Sequence, residues 1–286
     1  SLPPMQPDIH TEHILPHISL QPFIKYFGVR TMDTLGVDFP KVVHAESEMQ
    51  LNFFFHCKMA DYLHNKNISP AYSFDHNNDT HCYYTGIQTF TKGVSIVKGP
   101  TTIITVHFKP VGFFYIFGIS PKEIVDKHGE TAEIFSRGIV ILYEQIENAL
   151  KVRQGVEILG NYLLKKLSNR KYRYKNPGIS AASNMLIACK GNYSIKKLAS
   201  DCNMTLQTLE TNFTDQVGVV PKEFCRLLRF NHVVNMKLYN SDLSWTHIAH
   251  SCGFFDQTHL IKDFKKLTSL SPKNFMDLIK PPLEKF

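Results

Sequence analysis

In "GFFDQTHLIKDF", residues 253–264, Gln257, Thr258, His259 and Lys262 fall on one side of a helix-length segment, with Leu260 and Phe264 on the other. A buried helix needs only its apolar half, and a solvated one normally carries more charge. Short uncharged polar groups flanked by one Lys suit a surface that reads another molecule through hydrogen bonds. What it reads depends on the elements that present it.

The chain has 286 residues, enough for one large or two ordinary domains, and 43% of them are hydrophobic, ordinary for a globular protein. The formal net charge of +7 favours acidic partners, either nucleic acid or an anionic membrane face. Cys57, Cys82, Cys189, Cys202, Cys225 and Cys252 are scattered without a C-x-x-C pair, which argues against a zinc ribbon and against a disulfide-stapled scaffold. No apolar run approaches the ~20 residues that span a bilayer. The opening "SLPPMQPDIHTEHILP" lacks the pattern of a signal peptide. The expected location is the cytoplasm, with reduced thiols.

The first part reads as strand-rich to about residue 108. "QLNFFFHC" (50–57) and "TTIITVHF" (101–108) are β-branched and aromatic runs of strand length. "IKYFGVR", "CYYTGIQ" and "GVSIVKG" are shorter ones, separated by turn formers. Such spacing predicts a β-barrel or sandwich. After Pro110 the pattern turns helical: one helix closes at Gly118, a second is capped by Ser120 and ends before Gly129, and a longer helical region spans 139–167. "KKLSNRKYRYKNPG", 165–178, is rich in Lys and Arg with no acid, and reads as a basic linker. The expected architecture is α+β: an N-terminal sensor or dimerisation domain over 1–164, a linker over 165–178, and an all-α domain over 179–286.

The last hundred residues contain an internal repeat. "SIKKLASDCNMTLQTLETNFTDQVGVVPKEF" (194–224) aligns with "SWTHIAHSCGFFDQTHLIKDFKKLTSLSPKNF" (244–275), with one residue added in the second turn. Ser194 matches Ser244, Ala199 Ala249, Cys202 Cys252, Leu209 Leu260, Phe213 Phe264, Pro221 Pro272, and Phe224 Phe275. Each copy reads as helix, tight turn, helix. Ser194, Thr205, Ser244 and Asp256 are the N-caps, and Asn203 and Gly253 occupy the turns because they accept a left-handed backbone. In helix-turn-helix geometry the second helix enters the major groove of DNA. On the second copy Gln257 suits adenine, Thr258 a thymine methyl or another base edge, and Lys262 guanine or phosphate; His259 shares their face. Residues 222–242 between the units show helical spacing. A helix of ~18 residues is ~27 Å long, close to the ~34 Å between successive major grooves on one DNA face.

These residues resemble the DNA-binding domain of the AraC/XylS family of transcription regulators, over about 179–278. "LSWTHIAHSCGFFDQTHLIKDFKKLTSLSPKNF", "GVVPKEF" and "LRFNHVVN" carry the likeness. More faintly, "VHFKPVGFFYIFGISPKEIVD" (106–126) resembles a sensor-like domain that precedes this reader in some members. The resemblance implies sequence-specific promoter binding, with base-reading positions at Gln207, Glu210 and Thr211 in the first unit and at Gln257, Thr258, His259 and Lys262 in the second. Arg226, Arg229, Lys196 and Lys265 are candidate phosphate contacts, although Arg226 and Arg229 equally suit covering the core with their stems. The sequence departs from the family at Glu210 and Thr211, where basic or amide groups are common, and at Ser269, where Gly is usual. The acid predicts that the first unit binds more weakly and that the second supplies most of the affinity. At Ser269 a shifted turn is expected.

Expected partners are promoter duplex DNA, a small-molecule effector, RNA polymerase and a second copy of the chain; no membrane, cofactor, metal or catalytic residue is expected. In the N-terminal part Ile104, Val106 and Phe108 form the inward face of their strand, and Leu51, Phe53 and Phe55 alternate with Asn52, Phe54 and His56. Either set could line a pocket. Ten of the fourteen His residues precede Gly129, which raises a metal-binding barrel enzyme as one alternative; His44 with Glu46 is its nearest ligand pair. A DNA binder without sequence preference is another. No phosphate loop or nucleophile elbow is present.

Overall fold

The computed structural model describes residues 8–36, 39–56, 59–64, 82–131, 134–135, 138–169 and 178–279. Within them run strands β1 (Asp8–Ile14), β2 (Ile24–Asp33), β3 (Phe39–Val43), β4 (Gln50–Phe55), β5 (Met59–His64), β6 (Cys82–Thr85), β7 (Gly93–Lys98), β8 (Pro100–Phe108) and β9 (His128–Glu130). They form a six-stranded antiparallel sheet of order β1-β2-β8-β4-β6-β9 and a three-stranded sheet of order β3-β7-β5. The register places Leu51 and Phe27 opposite Val106, and Phe53 and Val29 opposite Ile104. All are buried, so one face of the larger sheet is continuous apolar core. The expected inward set of β8 is the set that is buried. On the other face Thr105 Oγ1 donates to Asn52 Oδ1 at 2.9 Å, Asn52 Nδ2 to Thr85 Oγ1 at 3.2 Å, and Thr85 Oγ1 meets His128 Nδ1 at 2.9 Å.

Helices α1 (Gly112–Phe117), α2 (Gly138–Glu147) and α3 (Val152–Ser168) follow. Tyr143 stacks on Phe55 with ring centroids 5.0 Å apart and donates to the Phe54 carbonyl at 2.9 Å, while Phe108 meets Phe113 edge-on at 5.7 Å. The expected 139–167 region is two helices packed on each other, parted at 148–151 where Leu150 stands exposed. The helix expected from Ser120 to Gly129 is not one. Pro121–Ile124 form a single 3-10 turn, Asp126 takes a left-handed φ of 56°, and its carboxylate accepts from the Thr89 amide and hydroxyl at 2.6 Å each. His128–Glu130 then pair with β6. A distant strand supplies the backbone partners that a further helical turn would have supplied locally.

The rest is helical: α4 (Gly178–Ala188), α5 (Ile195–Asp201), α6 (Leu206–Val217), α7 (Pro221–Tyr239), α8 (Trp245–Ser251), α9 (Gln257–Thr268) and α10 (Pro272–Leu278). The sheet region followed by helices and then an all-α region is the expected α+β architecture. Most of the basic 165–178 stretch, residues 170–177, lies outside the described residues, as do Cys57, His76 and His81. Among the described residues no helix is long and apolar enough to cross a membrane, and no group of three His, Cys, Asp or Glu could hold a metal ion. The described cysteines are free thiols; burial pushes Cys82 up to about 12 and Cys225 and Cys252 up to about 11.

Candidate nucleic-acid interface

Each unit is built by its own caps. Ser194 Oγ accepts from the Lys197 amide and Thr205 Oγ1 from the Thr208 amide at 3.1 Å. In the second copy Ser244 Oγ accepts from His247 at 3.2 Å, and Asp256 Oδ1 from His259 at 2.7 Å. These bonds satisfy amides that the first helical turn leaves without partners. Asn203 and Gly253 hold the turns at φ 53° and 74°. Ala199 and Ala249 are buried where the helices cross, and Leu209, Phe213, Leu260 and Phe264 face inward. Phe213 packs on Phe224 of α7 with centroids 5.5 Å apart; Phe264 packs on Phe230 of α7 at 4.9 Å and on Phe275 of α10 at 5.2 Å. One helix of 19 residues is thus the common support of both units.

The turn at Ser269 differs from its counterpart at Gly218, which lies at a wider φ. Ser269 closes α9 in the left-handed region, φ 60°, in the role Gly218 fills for α6 at φ 109°. A side chain pays for that backbone where glycine does not. Ser269→Gly is expected to raise the unfolding free energy by about 1 kcal/mol in denaturant titration, with the helices unchanged.

Gln207, Glu210 and Thr211 are exposed on α6, and Thr258, His259 and Lys262 are exposed on α9. Gln257 is half-buried: its Oε1 accepts from Thr246 Oγ1 at 3.0 Å, which anchors the carboxamide at the start of α9. His259 lies edge-on to Phe254 at 5.3 Å. The two helices differ in charge. Glu210 and Asp215 are the only charged groups of α6, whereas α9 carries Lys262, Lys265 and Lys266 against Asp263. Lys196 and Lys265 are exposed. Arg226 and Arg229 turn into the protein: Arg226 pairs with Glu223 at 2.9 Å, and Arg229 lies 3.8 Å from Asp263 and over the Phe254 ring at 5.4 Å. Their guanidinium groups tie α7 to itself and to α9.

The sheet region grips both second helices at their far ends, a contact the sequence reading missed. Tyr115 on α1 donates to Gln216 Oε1 at 3.0 Å with both groups buried, Ser120 Oγ donates to the Asp215 carbonyl at 2.8 Å, and Lys122 lies 3.5 Å from Asp215. On α9 the Leu267 carbonyl accepts from the Thr91 amide at 2.6 Å. Between them Asn231 of α7 donates to Glu46 Oε1 at 3.0 Å. Burial and the nearby Glu48 push the Glu46 carboxyl up; burial acts on Glu48 too, but the His107 hydrogen bond and the Lys25 ammonium outweigh it and hold Glu48 low. The signal that could have exposed the grip is Gln216. It stands where the second copy has Leu267, a carboxamide on an apolar position.

Comparison with known proteins locates two families on the chain. Residues 198–277 match the family described as "Helix-turn-helix domain", and residues 12–130 match a domain of unknown function, DUF6597. Similar curated proteins include the HTH-type transcriptional activator RhaS of Pectobacterium atrosepticum, 35% identical over 27% of this chain and 27% of its own length. RhaS of Escherichia coli K12 is 26% identical over 45% of this chain and 48% of its own length. This chain therefore spans from a quarter to a half of the curated relatives it matches. Among solved structures, ToxT from Vibrio cholerae O395 aligns over 96% of this chain and 99% of its own at 8% identity, with a TM-score of 0.46. The C-terminal domain of AraT from Geobacillus stearothermophilus aligns over 40% of this chain and 97% of its own, at 16% identity and a TM-score of 0.35.

Proposed function

The C-terminal part of this chain is an AraC-type helix-turn-helix domain, and from that premise we propose that the protein is a sequence-specific DNA-binding regulator of transcription. The observation that carries the reading is the pair of capped units on one 19-residue helix, each showing an exposed polar face on its second helix. Such a helix is about 28 Å long, which suits two readers entering successive major grooves. The proposed base contacts are Gln207, Glu210 and Thr211 on the weaker unit, and Gln257, Thr258, His259 and Lys262 on the stronger. Lys196 and Lys265 serve phosphates. The three lysines of α9 support the second unit as the main source of affinity, because phosphate neutralisation dominates binding strength. RhaS relatives named as transcriptional activators support a role in transcription.

The N-terminal part is the regulatory domain in this reading, joined to the reader between α3 and α4; the expected linker over 165–178 is shorter than its bounds, because 165–168 are the last turn of α3 and α4 opens at Gly178. The regulatory domain acts by effector binding or by pairing with a second copy, and the grip on α6, α7 and α9 supports coupling to the reader. The site of action is the cytoplasm, at promoter DNA.

The test is selection of duplexes from a random pool by the full chain, followed by salt titration on the winner. A preferred site of roughly 16 to 20 base pairs is expected, given two half-sites a turn apart. Lys262→Ala should weaken binding there by about 1–3 kcal/mol and lower the salt slope by about 1 if the ammonium meets a phosphate. Equal affinity of wild type and variant, or equal affinity of the winner and a random duplex, would defeat the assignment.

A further inference from the structure

Phe254 and Phe255 are adjacent and treated oppositely. Phe254 is buried, packed under Arg229 and against His259. Phe255 is 85% exposed, so it contributes nothing comparable to the core. It is also the residue by which the second turn exceeds the first: Met204 runs directly into the Thr205 cap, whereas Phe254 and Phe255 both precede the Asp256 cap. Its place is one residue ahead of the cap of α9 and three residues before the exposed Thr258. In helix-turn-helix proteins the first turn of the second helix is the part that meets base edges. An aromatic ring there has no hydrogen bond to offer, and the apolar feature of a base pair in the major groove is the thymine 5-methyl group.

We propose that Phe255 is a further specificity-determining residue, a ring that packs against a thymine methyl at the edge of the second half-site. The inference rests on the proposed function. Net charge and lysines bring the chain to any duplex, and Phe255 adds preference without adding salt dependence.

The experiment uses the full chain and the duplex that wild type selects from a random pool, remade with each thymine replaced singly by uracil. Wild type is expected to lose about fourfold at one thymine of the second half-site, the worth of one methyl group. Phe255→Ala should bind the parent duplex roughly tenfold more weakly and be indifferent to uracil at that thymine. Its melting temperature should stay at the wild-type value, because the ring is exposed. Parent affinity equal to wild type would overturn the proposal. So would a variant weakened on the parent duplex yet as sensitive as wild type to every uracil replacement, because the ring would then not be what meets the methyl group. Failure of wild type to select any duplex would instead defeat the function reading, and this assignment with it.

Discussion

Phe264→Ala is expected to cost about 3–5 kcal/mol of stability and to abolish selective DNA binding at the same time. The ring is buried in a triad with Phe230 and Phe275, at centroid distances of 4.9 and 5.2 Å. Those partners lie on α7 and α10, so one truncation opens a cavity where three helices meet. The gap between α7 and α9 is already small, lined by Phe230, Phe254, Leu260 and Phe264, and a well-packed site relaxes little into a new void. Denaturant unfolding measures the loss, and binding to the selected duplex measures the consequence. A loss below about 1 kcal/mol would show that the triad is not the support described.

Gly112→Ala should be nearly as damaging in the other half. A methyl group there would sit 1.8 Å from the Phe23 carbonyl oxygen and 2.8 Å from its carbon. Both are backbone atoms, and the same carbonyl already accepts from Lys109 at 2.8 Å. No rotamer change relieves that overlap, so α1 must move off the strand-side backbone, at a cost of about 3 kcal/mol. α1 carries Tyr115, so its displacement also strains the buried bond to Gln216. A thermal melt of the full chain tests the stability; an unchanged melting temperature would contradict the close approach.

Features fixed by short-range chemistry were legible in the residues. Ser194, Thr205, Ser244 and Asp256 cap because their side chains reach an amide three residues on. Asn203 and Gly253 turn because few residues tolerate that backbone. Ile104, Val106 and Phe108 alternate into the core for the same local reason. What escaped depends on distant partners. β1, "DIHTEHI", is an edge strand with one neighbour and little apolar rhythm, so its pairing with β2 leaves no clear mark. Ser120–Gly129 carry good helix signals that β6 and Thr89 override. Arg226 and Arg229 were ambiguous because Glu223 and Asp263 had first to be placed beside them.

Gln216 and Leu267 occupy the same repeat position, and each is held by the sheet region: one through Tyr115, the other through Thr91. The N-terminal body thus holds both second helices at equivalent positions, with Asn231 of α7 as a third point of attachment. In the proposed regulator, a displacement of α1 or of the Thr91 loop would therefore reach both second helices from one body.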